Sequence, residues 1–124
     1  MDKTILIARN RKFAIDILRL TALLPRDRVY DALVRQLVRC ATSVGANYRA
    51  ACRAKSRPDF INKLKITEEE ADESNYFLDL LLSMDAGQNR EALTRLYKES
   101  DELVAIYTAS LITLRTKSQI PNRT

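Results

Sequence analysis

Six arginines in the first half of the chain are spaced in a way that suits phosphate binding. At about 100° of rotation per helical residue, five of them fall along one line and the sixth, Arg49, lies slightly off it. The six are Arg28, Arg35, Arg39, Arg49, Arg53 and Arg57. A guanidinium group binds phosphate through two parallel hydrogen bonds, and each neutralised phosphate releases counterions. The pattern therefore predicts a face that can follow the backbone of RNA or DNA.

The opposite side of the same predicted helix is apolar, with Leu33, Leu37 and Val44 as its main members. The arginines should therefore project away from the core of the protein. Aromatic residues that could stack on bases are few, because only Tyr30 and Tyr48 occur in this helix and Tyr48 falls on the apolar side. Without exposed aromatics, we expect recognition of the backbone with little sequence preference.

A second interpretation of the arginines stays open. They form a solvated face, or they pair with acidic residues of a neighbouring subunit, in which case the protein is a structural scaffold that binds other protein chains. The third predicted helix offers suitable partners on one side. These are Glu69, Asp72 and Glu73, together with Tyr76.

Residues for catalysis or for a cofactor are scarce. The chain has no histidine, so the usual general base and the Ser-His and Cys-His pairs are absent. Gly45 and Gly87 are the two glycines, which excludes a Gly-rich phosphate loop. The acidic run from Glu68 to Glu73 covers most directions around a helix, which leaves an oxygen-only Mg²⁺ site as a distant alternative. We expect no enzyme, with no catalytic residues, no cofactor and no metal.

Composition predicts an all-α protein. Leu, Ala, Arg, Glu and Lys dominate, and 2 Gly and 3 Pro are too few for the turns of a β-sandwich. A length of 124 residues suits one domain, which we place at residues 1–124. No apolar run reaches the roughly 18 residues that span a bilayer, so we expect no membrane association and a cytoplasmic protein. Cys40 and Cys52 lie about 18 Å apart along one helix and should stay reduced.

Four helices are predicted, at about 10–24, 27–55, 57–86 and 89–117. Their expected N-caps are Asn10, Asp27, Ser56 and Asn89, and Gly87 is a candidate left-handed C-cap for the third helix. Leu6 continues the apolar stripe of the first helix, so an earlier start near Lys3 stays open. Short connections between long helices imply an up-down-up-down antiparallel four-helix bundle.

Length and charge both point to partners. The first helix is about half as long as the others, so part of the apolar surface of the bundle is uncovered and oligomerisation is the simplest way to cover it. Residues 1–57 carry 13 Lys/Arg against 4 Asp/Glu, a net charge of +9, and residues 58–124 carry 8 against 12, a net charge of −4. This asymmetry favours a polyanionic partner or self-association.

Three segments resemble a known family. Residues 36–47, from Gln36 to Asn47, resemble a motif Gln-Leu-x-Arg-Ser/Ala-x-Thr/Ser-Ser-Ile/Val-x-Ala-Asn, and residues 56–64 and 70–81 match two further motifs. These motifs are typical of the bacterial four helix bundle protein family. Its members include proteins encoded in intervening sequences of large-subunit ribosomal RNA genes, and it is similar to the accessory variability proteins of diversity-generating retroelements.

The resemblance implies a homopentameric ring of four-helix bundles. It also implies partners, since the retroelement relatives bind a reverse transcriptase and nucleic acid through basic surfaces. No catalytic residues come with the family. The segment Tyr48-Arg49-Ala50-Ala51 replaces the commoner Ile-x-Glu-Ala/Gly of the family, so an acidic residue is lost at Ala50, and Cys40 replaces a usual Ser or Ala. The second helix is therefore more basic than is typical of the family.

Overall fold

The computed structural model describes residues 2–119, so both ends of the predicted 1–124 domain lie outside the described range. Within that range the chain forms four helices and no strand. They are α1 Lys3–Thr21, α2 Arg28–Cys52, α3 Arg57–Met84 and α4 Arg90–Gln119. The all-α prediction is confirmed.

The predicted start of the first helix near residue 10 is wrong, because α1 begins at Lys3. The side chain of Asp2 caps it, with Oδ1 accepting a hydrogen bond of 2.8 Å from the backbone N–H of Thr4. Asn10 is not an N-cap but a fully buried residue inside α1. Its Oδ1 accepts a 2.7 Å hydrogen bond from the hydroxyl of Tyr107 in α4. The helix extends through Asn10 because Leu6 is buried together with Phe13 and Ile17 on one stripe.

The turn between α2 and α3 contains the predicted cap of α3, but it begins three residues before the predicted end of α2. Ser56 caps α3, with Oγ accepting a 3.1 Å hydrogen bond from the N–H of Asp59. Asp59 reaches back to the N–H of Lys55 at 3.2 Å rather than to that of Ser56. The predicted end of this helix at residue 55 is wrong, because α2 ends at Cys52. The N–H groups of Arg53 and Ala54 donate to carbonyls three residues earlier, and that of Lys55 donates to Asp59.

α3 ends at Met84, two residues before the predicted residue 86, and Asp85 is its C-cap. The backbone of Asp85 is extended, and its carboxylate accepts hydrogen bonds of 2.8 Å from the N–H of Gly87 and 3.3 Å from that of Asn89. Gly87 has a φ of 111°, so the left-handed conformation occurs here as expected. It lies in the turn to α4, however, and the C-cap is Asp85.

Side-chain contacts show that sequential helices run antiparallel. Between α2 and α3, Tyr30 meets Met84 and Cys40 meets Ser74, so residue numbers fall on one helix as they rise on the other. Asn10 with Tyr107 and Asp16 with Arg95 give the same order for α1 and α4. Similar pairs join α3 to α4, and Gly45 of α2 approaches Asn10 of α1. The four helices form an up-down-up-down bundle.

The core is a layer of fully buried leucines and aromatics that all four helices supply. Leu37, Leu78 and Leu103 are wholly buried, and each stabilises the fold by about 1.5–3 kcal/mol relative to an exposed side chain. A Cβ at Gly45 would lie 3.4 Å from the Cβ of Asn10, so the glycine allows α1 and α2 to pack closely. Three buried serine and threonine hydroxyls of this core donate hydrogen bonds to carbonyl groups one turn earlier. They belong to Thr67, Ser74 and Ser100.

Candidate nucleic-acid interface

The outward side of α2 carries the predicted arginines, and we call Arg28, Arg35, Arg39 and Arg49 the α2 basic face. All four are exposed. The face spans 21 residues, or about 31 Å along a helix that rises 1.5 Å per residue. Leu37, Val44 and Tyr48 lie buried on the other side of the helix, so the predicted orientation of α2 is confirmed.

The prediction that Arg53 and Arg57 continue the arginine line of the second helix is wrong. Arg53 is the C-cap of α2, with φ −111° and ψ 22°, and Arg57 is the first residue of α3. The line of a helix therefore stops at Arg49. Arg53 and Arg57 are exposed around the turn that follows, where the chain reverses direction.

Arg39 is bound within its own chain, which neither interpretation of the arginines anticipated. Its Nη2 lies 2.7 Å from Oε1 of Glu73 and its Nη1 lies 3.3 Å from Oε2 of Glu70, both on α3. The hydrogen bond to Glu73 is the main reason that the pKa of Arg39 is raised. Burial raises the pKa of Glu70 and outweighs the opposing effect of Arg39. Glu73 therefore pairs with Arg39 within the subunit.

The other arginines of the set have different surroundings. The guanidinium Nη2 of Arg57 donates a 3.1 Å hydrogen bond to the carbonyl of Leu114 in α4. Four side chains form no ion pair or hydrogen bond with any residue that the structure describes. They are Arg28, Arg35, Arg49 and Arg53. These four are the strongest candidates for contact with an external anion.

The predicted acidic partners lie on the outward side of α3. Glu69 and Asp72 are exposed and form no ion pair within residues 2–119. Tyr76 is 57% exposed, and its ring packs against that of Phe77. The structure thus separates the predicted set: Glu73 is engaged by Arg39, whereas Glu69, Asp72 and Tyr76 face outward.

Topology adds basic residues that the helix-by-helix reading missed. The start of α1, the end of α2, the start of α3 and the end of α4 meet at one end of the bundle, where Leu6, Tyr48, Phe60 and Leu114 line a common cleft. Further exposed cations lie at the termini of these elements. They are Lys3, Lys55 and Arg115. The antiparallel order of the four helices, already predicted, was a sufficient signal to group them with Arg53 and Arg57.

Aromatic stacking has little support on α2. Tyr48 is buried in the core, where its ring lies 5.6 Å from that of Tyr107. Tyr30 is half-buried, and its hydroxyl donates to the carbonyl of Met84 at 3.4 Å. Neither ring lies beside the exposed arginines. For Tyr48 this agrees with the sequence, which placed it on the apolar side of the helix.

Cys40 and Cys52 are both free thiols. Cys40 is buried, and its Sγ lies 3.3 Å from the hydroxyl oxygen of Ser74. Burial raises the pKa of Cys40, so the unreactive thiol form dominates at neutral pH. Among the described residues, no three Cys, Asp or Glu side chains converge as a metal site would require. None of the described helices combines the length and the apolar character that a membrane span requires.

These features define a class of protein: an antiparallel four-helix bundle whose second helix presents unpaired arginines. Comparison with known families assigns the chain to one of them. A family model described as "23S rRNA-intervening sequence protein" matches residues 2–109, and the chain belongs to this family. The resemblance read from the three motifs is thereby confirmed.

A solved structure extends the comparison. The chain is similar to a protein of unknown function from the S23 ribosomal protein family of Bacteroides thetaiotaomicron, whose crystal structure it matches with a TM-score of 0.79. The two are 32% identical, and the match covers 90% of this chain and 98% of the other. No functionally curated protein matches the chain.

Proposed function

We propose that this protein is a non-enzymatic accessory factor that binds the phosphate backbone of nucleic acid, or of a ribonucleoprotein, through α2. The observation that carries the proposal is the set of four exposed arginines without partners among the described residues. They are Arg28, Arg35, Arg49 and Arg53. A cytoplasmic location, where RNA is accessible, is part of the proposal.

The physical argument is one of available charge on a rigid support. Arg28 and Arg35 lie two helical turns apart, about 10 Å along the axis, and long guanidinium side chains can adapt to a row of phosphates at that distance. Arg39 contributes less because Glu70 and Glu73 already neutralise it. A partner that offers a continuous row of anions suits this arrangement better than a single small anion.

A second candidate function is that of an oligomeric protein-binding scaffold. Large apolar side chains are exposed near the end of α1 and the start of α2, with Leu18 at 46%, Leu23 at 73% and Val29 at 57% exposure. α1 has 19 residues against 25 in α2, so it covers less of the bundle. Self-association would bury these side chains, and the family resemblance implies a homopentameric ring.

A matched pair of variants tests the first candidate against the second. We expect Arg35→Ala to weaken binding of a fluorescent single-stranded RNA by about threefold or more at low salt, since one phosphate contact is lost. Arg11→Ala removes the same charge from an exposed position on α1 and should change the affinity little. Fluorescence anisotropy measures both affinities, and light scattering measures the mass of each variant.

The outcomes separate the two functions. Equal RNA affinity for Arg35→Ala and wild type would contradict a phosphate contact at this residue. A fall in the mass of Arg35→Ala, with RNA binding unchanged, would show instead that the arginine belongs to a subunit interface.

A further inference from the structure

A cleft between the start of α3 and the end of α4 has the chemistry of a nucleotide site. Its volume is about 440 Å³. Three cationic side chains line it, and none of its lining residues within the described part of the chain is acidic. The lining residues are Arg57, Pro58, Ile61, Asn62, Lys65 and Arg115. The cleft lies outside the α2 basic face and was not predicted from the sequence.

The cations of this cleft are presented in three ways. Arg57 is held across its rim, because Nη2 donates to the carbonyl of Leu114 at 3.1 Å. Arg115 is exposed and forms no ion pair with any described residue. The ammonium of Lys65 lies 2.9 Å from Oε1 of Glu68, so its charge is partly offset by a carboxylate outside the lining. Arg115 is therefore the side chain most available to an anion.

The rest of the lining suits the remainder of a nucleotide. Pro58 is exposed and Ile61 half-buried, which gives an apolar floor on which a sugar or a base can lie. The amide of Asn62 is exposed and carries both a hydrogen-bond donor and an acceptor. A phosphate and a flat ring can therefore be accommodated together.

The cleft between α1 and α4 provides an internal comparison. It is of similar size, about 510 Å³, and cations such as Arg9 and Arg95 line it. Arg9 is paired with Glu99 at 2.6 Å and with Glu102 at 3.1 Å, and Arg95 lies 3.4 Å from Asp16. Its two arginines are thus paired with carboxylates that would repel a phosphate. Among residues 2–119, no such carboxylate lines the α3–α4 cleft.

We propose that the α3–α4 cleft binds one nucleotide, with the phosphate at Arg57 and Arg115 and the sugar or base on Pro58 and Ile61. The inference rests on the proposed function in one respect, which is that this nucleotide belongs to the strand bound by α2. Arg53 and Arg57 are four residues apart, so their Cα atoms are at most about 14 Å from each other. A strand that leaves α2 at Arg53 can reach the cleft within two or three nucleotides.

Titration with uridine 5′-monophosphate tests the cleft by itself, because one nucleotide is too small to bridge the α2 arginines. We expect millimolar uridine 5′-monophosphate to shift the methyl resonances of Ile61 and the Nε–H resonance of Arg115 in NMR spectra, and to leave the methyl groups of Leu23 and Val29 unchanged. Arg115→Ala should raise the dissociation constant about tenfold, since a charge-assisted hydrogen bond is lost. Arg11→Ala is the matched control and should not change it.

The results distinguish the cleft from the α2 surface. If uridine 5′-monophosphate leaves Ile61 and Arg115 unshifted, the nucleotide site is wrong, whether or not long RNA binds. If inorganic phosphate produces the same shifts at Ile61, the apolar floor has no role and the proposal is overturned in that part. If uridine 5′-monophosphate binds but long RNA does not, the cleft stands and the proposed function of α2 fails.

Discussion

Replacing Arg28, Arg35, Arg49 and Arg53 together by Ala is expected to weaken the binding of single-stranded RNA by about a hundredfold at low salt. Each lost phosphate contact costs about threefold or more, and four such losses multiply to about a hundredfold. The fold should tolerate the change, because these side chains are exposed and form no bonds with described residues. Anisotropy titrations measure the affinity, and thermal melting monitored by circular dichroism checks the fold.

A variant with Lys at the same four positions is the matched control. It keeps the net charge but loses the bidentate geometry of arginine, so it should bind more weakly than wild type and more tightly than the Ala variant. If the Ala variant binds RNA as tightly as wild type, the α2 arginines do not contact phosphate. If both variants lose affinity only because their melting temperatures fall, the side chains have a structural role that the described contacts do not show.

The second large effect concerns the buried hydrogen bond between Asn10 and Tyr107. Tyr107→Phe is expected to lower the free energy of unfolding by about 1–3 kcal/mol, since the buried Oδ1 of Asn10 loses its donor. The Nδ2 of Asn10 already lacks a partner among the described residues. Asn10→Leu should cost a similar amount, because it leaves the hydroxyl of Tyr107 without an acceptor. Urea unfolding of each variant measures these changes.

The double variant Asn10→Leu with Tyr107→Phe completes the cycle. It replaces both polar partners by apolar groups of similar size, so its stability should be close to that of wild type. If the double variant loses as much free energy of unfolding as the two single variants together, the two side chains do not stabilise the protein through their mutual hydrogen bond.

Alkaline pH provides an independent view of the same region. Burial raises the pKa of Tyr107, and it raises the pKa of Tyr48 to about 12, with Cys52 adding to the effect. A tyrosine whose pKa is raised in the folded state contributes stability that is present below the unfolded pKa of about 10. That stability is lost as the pH rises from there through the folded pKa.

Local signals in the sequence were sufficient for much of the fold. Ser56 and Pro58 mark the start of α3 by chemistry that needs no distant partner, and the structure uses both as predicted. The apolar period of α2 placed Leu37, Val44 and Tyr48 in the core for the same reason. Asn10 was misread because asparagine is a good N-cap, and its true acceptor role depends on Tyr107, 97 residues later.

The candidate site depended on contacts between helices, which a single-helix projection does not contain. Projection placed the arginines outward but did not show that Arg39 meets Glu70 and Glu73, 31 and 34 residues away. The register of the α2–α3 hairpin would have predicted the contact between Arg39 and these two glutamates. Arg39 lies 14 residues before the C-cap Arg53, and Glu70 lies 13 residues after Arg57, so an antiparallel pair brings them to the same level. At the early end of α2, the N–H of Lys55 likewise donates outside the helix, to the carboxylate of Asp59.

The central claim is that α2 binds phosphate, and the salt dependence of RNA binding by the wild-type protein tests it most directly. For single strands, the logarithm of the association constant should fall linearly with the logarithm of the salt concentration, with a slope of about −0.7 for each phosphate contact. Contacts from Arg28, Arg35, Arg49 and Arg53 predict a slope of about −3. A slope near zero, or no measurable binding at low salt, would contradict the account.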